Sequence, residues 1–283
     1  MQGPERRGAA IPEDRGPFVL PAGPGAMARR HGSCTVGCVP RLAAWLHEDL
    51  PPVTAPGRLD AGGAAIPLVA AVLFSVSQYH GESRHVPAAL LARAGALAGV
   101  VPHLYWFGMS ALLLGAAPLL ALRLLGEPLR DYGLGAGRWR RGLWLSGALL
   151  GAMLPVVLVA SRFPAFAGHY PLAPAAASSW PLFALYQAGY ALYFVAWELV
   201  FRSFLLFGLY RRVGVVAVYL QALPFALLHF GKPEAETLGS IVAGVALGYL
   251  ALKTRSFWWG ALLHAAVALA MDLAASWARL TGP

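Results

Sequence analysis

The chain has 283 residues, of which 58% are hydrophobic and only 12% charged, with a mean hydropathy of +0.59. A soluble domain carries about twice that share of charge. The composition therefore excludes an ordinary soluble enzyme and, with apolar surface so abundant, excludes disorder for most of the chain. The net charge of +9 comes mainly from arginines divided among loops, so positive-inside topology is the stronger reading and nucleic-acid binding the weaker.

Residues 1–60 are rich in Gly, Pro and Arg and lack a long apolar run. They read as a disordered, low-complexity tail with no signal-peptide h-region, and Met27 is an alternative start. Cys34 and Cys38 are too few for a disulfide framework and, without a second pair, make a poor zinc site. The stretch "RLAAWLHEDL" (41–50) predicts a short interfacial helix.

Residues 61–283 read as a transmembrane domain. Seven apolar segments approach or exceed the length needed to cross about 30 Å of hydrocarbon. They are 62–79, 96–124, 142–161, 181–210, 213–230, 237–253 and 256–277; a break of the second at Pro118 would make eight. The loop 123–141 is densely basic, Arg211 and Arg212 close the fourth segment, and Lys253 and Arg255 follow the sixth. The intervening loops carry only Arg162 and Lys232. This alternation predicts an all-α polytopic bundle with a cytoplasmic N-terminus, multi-pass in the lipid bilayer of a bacterial plasma membrane. Ser240, Gly244 and Gly248 form a small-residue stripe suited to close helix packing.

A charge inside the bilayer is costly unless paired or hydrated, so each polar residue after 142 requires a reason. The acids there are Glu198, Glu234, Glu236 and Asp272, and the histidines are His169, His229 and His264. Glu198 and Arg202, at i and i+4 on one helix face, can pair; alone they read equally as an ion pair locking two helices. Phe225 and His229 lie one turn apart near the end of the fifth segment, and His264 lies inside the seventh. Counted from the basic ends, Glu198, His229 and His264 lie roughly 20, 25 and 14 Å deep, near enough for one cavity. Two histidines converging with an acid and an arginine form a candidate site. A carboxylate beside imidazoles can activate water, and imidazole N–H groups can stabilise an oxyanion. The set suits hydrolysis of an amide bond presented within the membrane. Glu198, His229 and His264 could instead hold zinc, although no H-E-x-x-H pair is present. Gly231 and Pro233 break the helix after His229. Glu234 and Glu236 then fall in a helix first turn, where capping is one reading and a fold-back of Glu236 toward His229 the other.

These motifs resemble the CPBP intramembrane proteases (CAAX prenyl endopeptidase and bacteriocin-processing, or Abi, family). That family carries E-E-x-x-x-R, then F-x-x-x-H, then H-x-x-x-N. Here Trp197-Glu198-Leu-Val-Phe-Arg202 matches the first, Phe225 to His229 the second, and His264 the third, with Ala268 in place of Asn. The resemblance covers about 125–275. It implies an intramembrane endopeptidase acting on a membrane-associated peptide or protein, with Glu198, Arg202, His229 and His264 as catalytic residues and no required cofactor in a glutamic mechanism. The residue that the family usually uses to activate water is Trp197 here. Glu198 could take over as base, Glu236 or Asp272 could supply the missing carboxylate, or the chain could be an inactive immunity factor or scaffold. A transporter using Glu198 as a proton site is a further class, for which the sequence offers no repeat.

Overall fold

The computed structural model describes residues 38–53 and 60–281; the expectations for the rest of 1–60, Cys34 and Met27 included, lie outside the described residues. The chain divides into Met1–Trp45 and Leu46–Pro283. Helix α1 (Cys38–His47) leaves Leu42 and Trp45 exposed, as an interfacial helix would.

All seven expected segments form helices, and no strand occurs among the described residues. Six are long and apolar enough to cross a membrane: α2 (Gly62–Gly81), α3 (Val101–Leu124), α4 (Trp139–Ala160), α5 (Trp180–Val213), α7 (Glu234–Thr254) and α8 (Trp258–Thr281). The protein is thus an integral multi-pass helical bundle. Helix α3 runs through Pro118 without splitting. The expected fifth span, 213–230, is instead the short helix α6 (Val216–Leu227). Its 12 residues reach about 18 Å, well short of the hydrocarbon thickness. The chain leaves the helix at Leu228, passes Gly231 at φ +93°, and restarts after Pro233. This early end sets His229 at a helix terminus and not within a helical face.

Helix α5 is the axis of the bundle: 89% of its most apolar window is buried, against 6% for α4. The sequence explains the contrast. Tyr186, Tyr190, Tyr193, Phe194, Trp197, Phe201 and Phe204 surround α5 with aromatic area and are all buried, whereas α4 turns Leu143, Trp144, Val156 and Val159 outward, toward where lipid would lie. Helices α3 and α8 flank α5, and α6 packs on α7. Gly244 and Gly248 make that last contact close. A Cβ at Gly244 would stand 3.1 Å from Phe225, and one at Gly248 3.0 Å from Gln221. The small-residue stripe is a packing device at both glycines.

Three of the spans contain wide, π-helical turns: Ser77–Gly81 ending α2, Ala111–Ala116 in α3 and Leu199–Phe207 in α5. Such turns are rare and concentrate at functional sites. Ser77 and Leu114, from the first two of these turns, line a cavity described below, and the third begins directly after Glu198.

Candidate active site

Glu198 is the last residue of the regular helix before the wide turn of α5, and Arg202 lies within that turn. Both side chains are fully buried, with Arg202 Nε 3.1 Å from Glu198 Oε2. The N–H is not aimed at the oxygen, so the contact is an ion pair without a hydrogen bond; none of the three guanidinium nitrogens has a hydrogen-bond partner among the described residues. The guanidinium instead lies over the Phe225 ring, 4.3 Å from its centroid, a cation–π contact. Phe225 thereby serves the site through its face as well as through its backbone.

The other carboxylate oxygen of Glu198, Oε1, lies 3.0 Å from His264 Nδ1. An ionised carboxylate only accepts, so Nδ1 carries the proton and Nε2 is left as the acceptor. His264 packs on Phe194, with ring centroids 4.2 Å apart and the planes tilted by 31°. Gly260, one turn earlier on α8, makes room for the carboxylate: a Cβ there would stand 2.7 Å from Glu198 Oε2.

His229 is fixed by its own helix end. Its Nδ1 lies 2.6 Å from the Phe225 carbonyl oxygen, which likewise assigns the proton to Nδ1 and the free lone pair to Nε2. The backbone carbonyl of His229 accepts from Thr237 Oγ1 at 2.9 Å, tying the end of α6 to the first turn of α7. His229 and His264 line one cavity of about 20 Å³, together with Trp197, Tyr193 and Lys232. That volume holds about one water.

The structure therefore joins Glu198, Arg202 and His264 directly, and brings His229 to the same cavity through Phe225. It sets the two accessory acids apart. Glu236 accepts from Lys232 Nζ at 2.6 Å and from the Tyr170 hydroxyl; its carboxylate is turned to these groups and not hydrogen-bonded to His229. Asp272 accepts from Gln187 Nε2 at 2.7 Å and lines neither of the two cavities found here. Near these acids, in the loop between α4 and α5, burial pushes the Tyr170 hydroxyl above and His169 below their ordinary values, so both are neutral at pH 7. Lys232 lines the cavity but escapes a sequence reading, because it looks like an ordinary loop lysine; its i+4 spacing to Glu236 is the signal.

Trp197 stacks on Tyr193, with centroids 5.5 Å apart, and presents an edge to His229 at 6.1 Å. Position 197 thus faces the histidine cavity. It also borders a second cavity of about 60 Å³, and the two share Trp106, Tyr193, Trp197 and Leu228 as a common wall. Among the described residues, no group of three His, Cys, Asp or Glu side chains could hold a metal ion. Glu198 commits one oxygen to Arg202 and the other to His264, which leaves a zinc ion two imidazoles and no third protein ligand.

Residues 178–270, about a third of the chain, match the family model described as Rce1-like, type II CAAX prenyl endopeptidase Rce1-like. No curated protein and no solved structure matches the chain. That matched stretch holds Glu198, Arg202, His229 and His264, and it supports the resemblance to the CPBP/CAAX protease family.

Proposed function

We propose that the protein is an intramembrane endopeptidase that hydrolyses a peptide bond of a membrane-associated peptide or protein, with His264 as the general base. The observation that carries this reading is the Glu198–His264 pair, 3.0 Å apart, with His264 and His229 on one water-sized cavity. A carboxylate holding an imidazole by Nδ1 fixes the tautomer and stabilises the imidazolium that forms, as in an acid–His–nucleophile triad. Here the nucleophile is water. His264 Nε2 takes a proton from a water that His229 Nε2 helps to hold, and the hydroxide adds to the scissile carbonyl carbon. The ammonium of Lys232 stands at the same cavity to meet the developing oxyanion. The C–N bond then breaks as the His264 imidazolium returns the proton to the leaving nitrogen, giving a carboxylic acid and an amine. Glu198, fully buried, acts through His264 and does not touch water, so the site works in this reading with Trp197 in place of a carboxylate. Arg202 sets a guanidinium 3.1 Å from the far oxygen of Glu198. The reaction so written uses no cofactor.

The test is cleavage of a quenched, acyl-anchored peptide library by the purified full chain in liposomes. His264→Ala should lower cleavage about 10³-fold, and a chelator should leave the wild-type rate unchanged. Equal rates in wild type and His264→Ala would overturn the proposal. Loss on chelation with recovery on added zinc would replace it with a metal mechanism. A second reading, a non-catalytic immunity factor or scaffold, is favoured by Trp197 alone. It predicts no cleavage by the wild-type chain and cleavage by Trp197→Glu.

A further inference from the structure

The larger cavity lies on the other side of the Trp197 wall from the histidines, and it has its own polar equipment. Its volume of about 60 Å³ holds roughly four waters, or the end of one long side chain. Glu82, just past the end of α2, places a carboxylate on it. Gln78 Nε2 bonds Oε1, and Arg84 Nη2 pairs with Oε2 at 2.8 Å. Trp106, Tyr193 and Trp197 give the lining its aromatic part, and Ser77, Ser110, Leu114 and Leu228 are among the rest. Two lining polar atoms are buried with no partner: Ser110 Oγ, on a fully buried residue, and Trp197 Nε1, on a residue 7% exposed. Buried polar atoms are almost always satisfied, so two such atoms on one cavity, without a partner among the described residues, call for water or a ligand that reaches them.

The lining selects the charge of that ligand. An anion would meet the Glu82 carboxylate. An apolar group would leave Ser110 and Trp197 unsatisfied. A cation gains from the carboxylate, from the aromatic faces and from the Ser110 hydroxyl as acceptor. Arg84 is no obstacle, since its side chain is 61% exposed and a solvent-screened pair of this kind contributes little.

We propose that this cavity is a subsite for a lysine or arginine side chain of the substrate. Glu82 is its specificity-determining residue, Arg84 occupies it loosely in the free protein, and the Trp197 N–H is left for a carbonyl of the bound peptide. The cationic residue would then lie close along the chain to the bond held at His264, because the two cavities share Trp106, Tyr193, Trp197 and Leu228. Assigning the cation to a peptide substrate rests on the endopeptidase reading; the cation site itself does not.

The experiment separates the two. n-Butylguanidinium is titrated calorimetrically into the full chain in a non-ionic detergent, with n-butylurea as its neutral analogue. Saturable binding of the guanidinium, absent for the urea, is expected. Glu82→Gln should weaken it about tenfold or more, Arg84→Ala should tighten it, and His264→Ala should leave it unchanged. Equal binding of the two probes overturns the site, as does an Arg84→Ala chain that binds the guanidinium more weakly. That exposed variant keeps the test valid if Glu82→Gln fails to fold. Where the wild-type chain cleaves the library, its products should place Lys or Arg near the cut, and Glu82→Gln should erase that preference. Cation binding without any cleavage retains the subsite and removes the endopeptidase; cleavage with no basic preference removes the subsite.

Discussion

Arg202 and Arg212 lie on the same helix, and both are buried, yet they are built for opposite purposes. Arg212 is saturated with partners. Its Nε reaches Asp60 at 2.6 Å, Nη1 the Gly208 carbonyl at 2.7 Å, and Nη2 Glu127 at 2.7 Å. Gly62 and Gly63 at the start of α2 make room for it; a Cβ on either would meet the guanidinium side chain within 2.8 Å. This cluster staples α2 and the loop after α3 to the end of α5. Arg202 has one misaligned ion contact, an aromatic face and three nitrogens without hydrogen bonds. A fold selected only for stability would satisfy or remove such a group. The difference separates an arginine that holds helices from one that, on the proposed function, holds a charge for chemistry.

The comparison breaks most visibly if both members of each pair are neutralised. The double variant Glu198→Gln/Arg202→Met should lower cleavage about 10³-fold or more. Its melting temperature in detergent should stay level or rise, because replacing a buried pair by neutral groups of similar volume often costs nothing. A large loss of stability would make this pair a staple after all. Arg212→Met should do the reverse. Unfolding should become easier by about 2–4 kcal/mol, while cleavage per folded molecule is kept; a loss of turnover in folded protein would contradict the assignment. Gly260→Ala tests the fit beneath Glu198. Displacing that carboxylate should reduce cleavage about 10–100-fold with the fold retained, read as a fall in kcat at nearly constant KM.

The smallest expected effect is at the staple's edge. The hydrogen bond from Arg212, with a second from the Gly63 N–H, holds Asp60 below its ordinary value of 3.8. A depressed carboxylate stabilises the fold above its unfolded pKa and loses that contribution as pH falls through the folded value. Asp60→Asn should therefore lower the melting temperature slightly at pH 7, and the gap to wild type should close on acidification below pH 3.8. A gap that widened instead would reverse the sign of the linkage.

Much of this was legible in the linear sequence. Lipid makes every buried charge costly, so Glu198, Arg202, His229 and His264 stand out from an apolar background without any structure. The same background makes six spans readable by length alone. Helix α6 was less readable, because apolar residues continue through Leu228 and only the Pro224 and Gly231 punctuation shortens it. Lys232 and Glu82 were not singled out for a site, since each sits in a loop where a charge needs no explanation. Gly260 was silent because a close approach to Glu198 is a relation between α5 and α8, and no spacing along one helix contains it.

By itself, then, the sequence determined the bundle, the membrane and the residues that pay to be there, because hydropathy and the cost of buried charge are properties of residue type. Only the tertiary structure decided which nitrogen of each histidine is free, that Glu198 contacts His264 and lines neither cavity, and that Glu236 and Asp272 are held by other partners. It also decided that Trp197 forms a wall between two cavities. Those outcomes depend on which atoms of distant helices come within 3 Å of one another, and packing alone sets that.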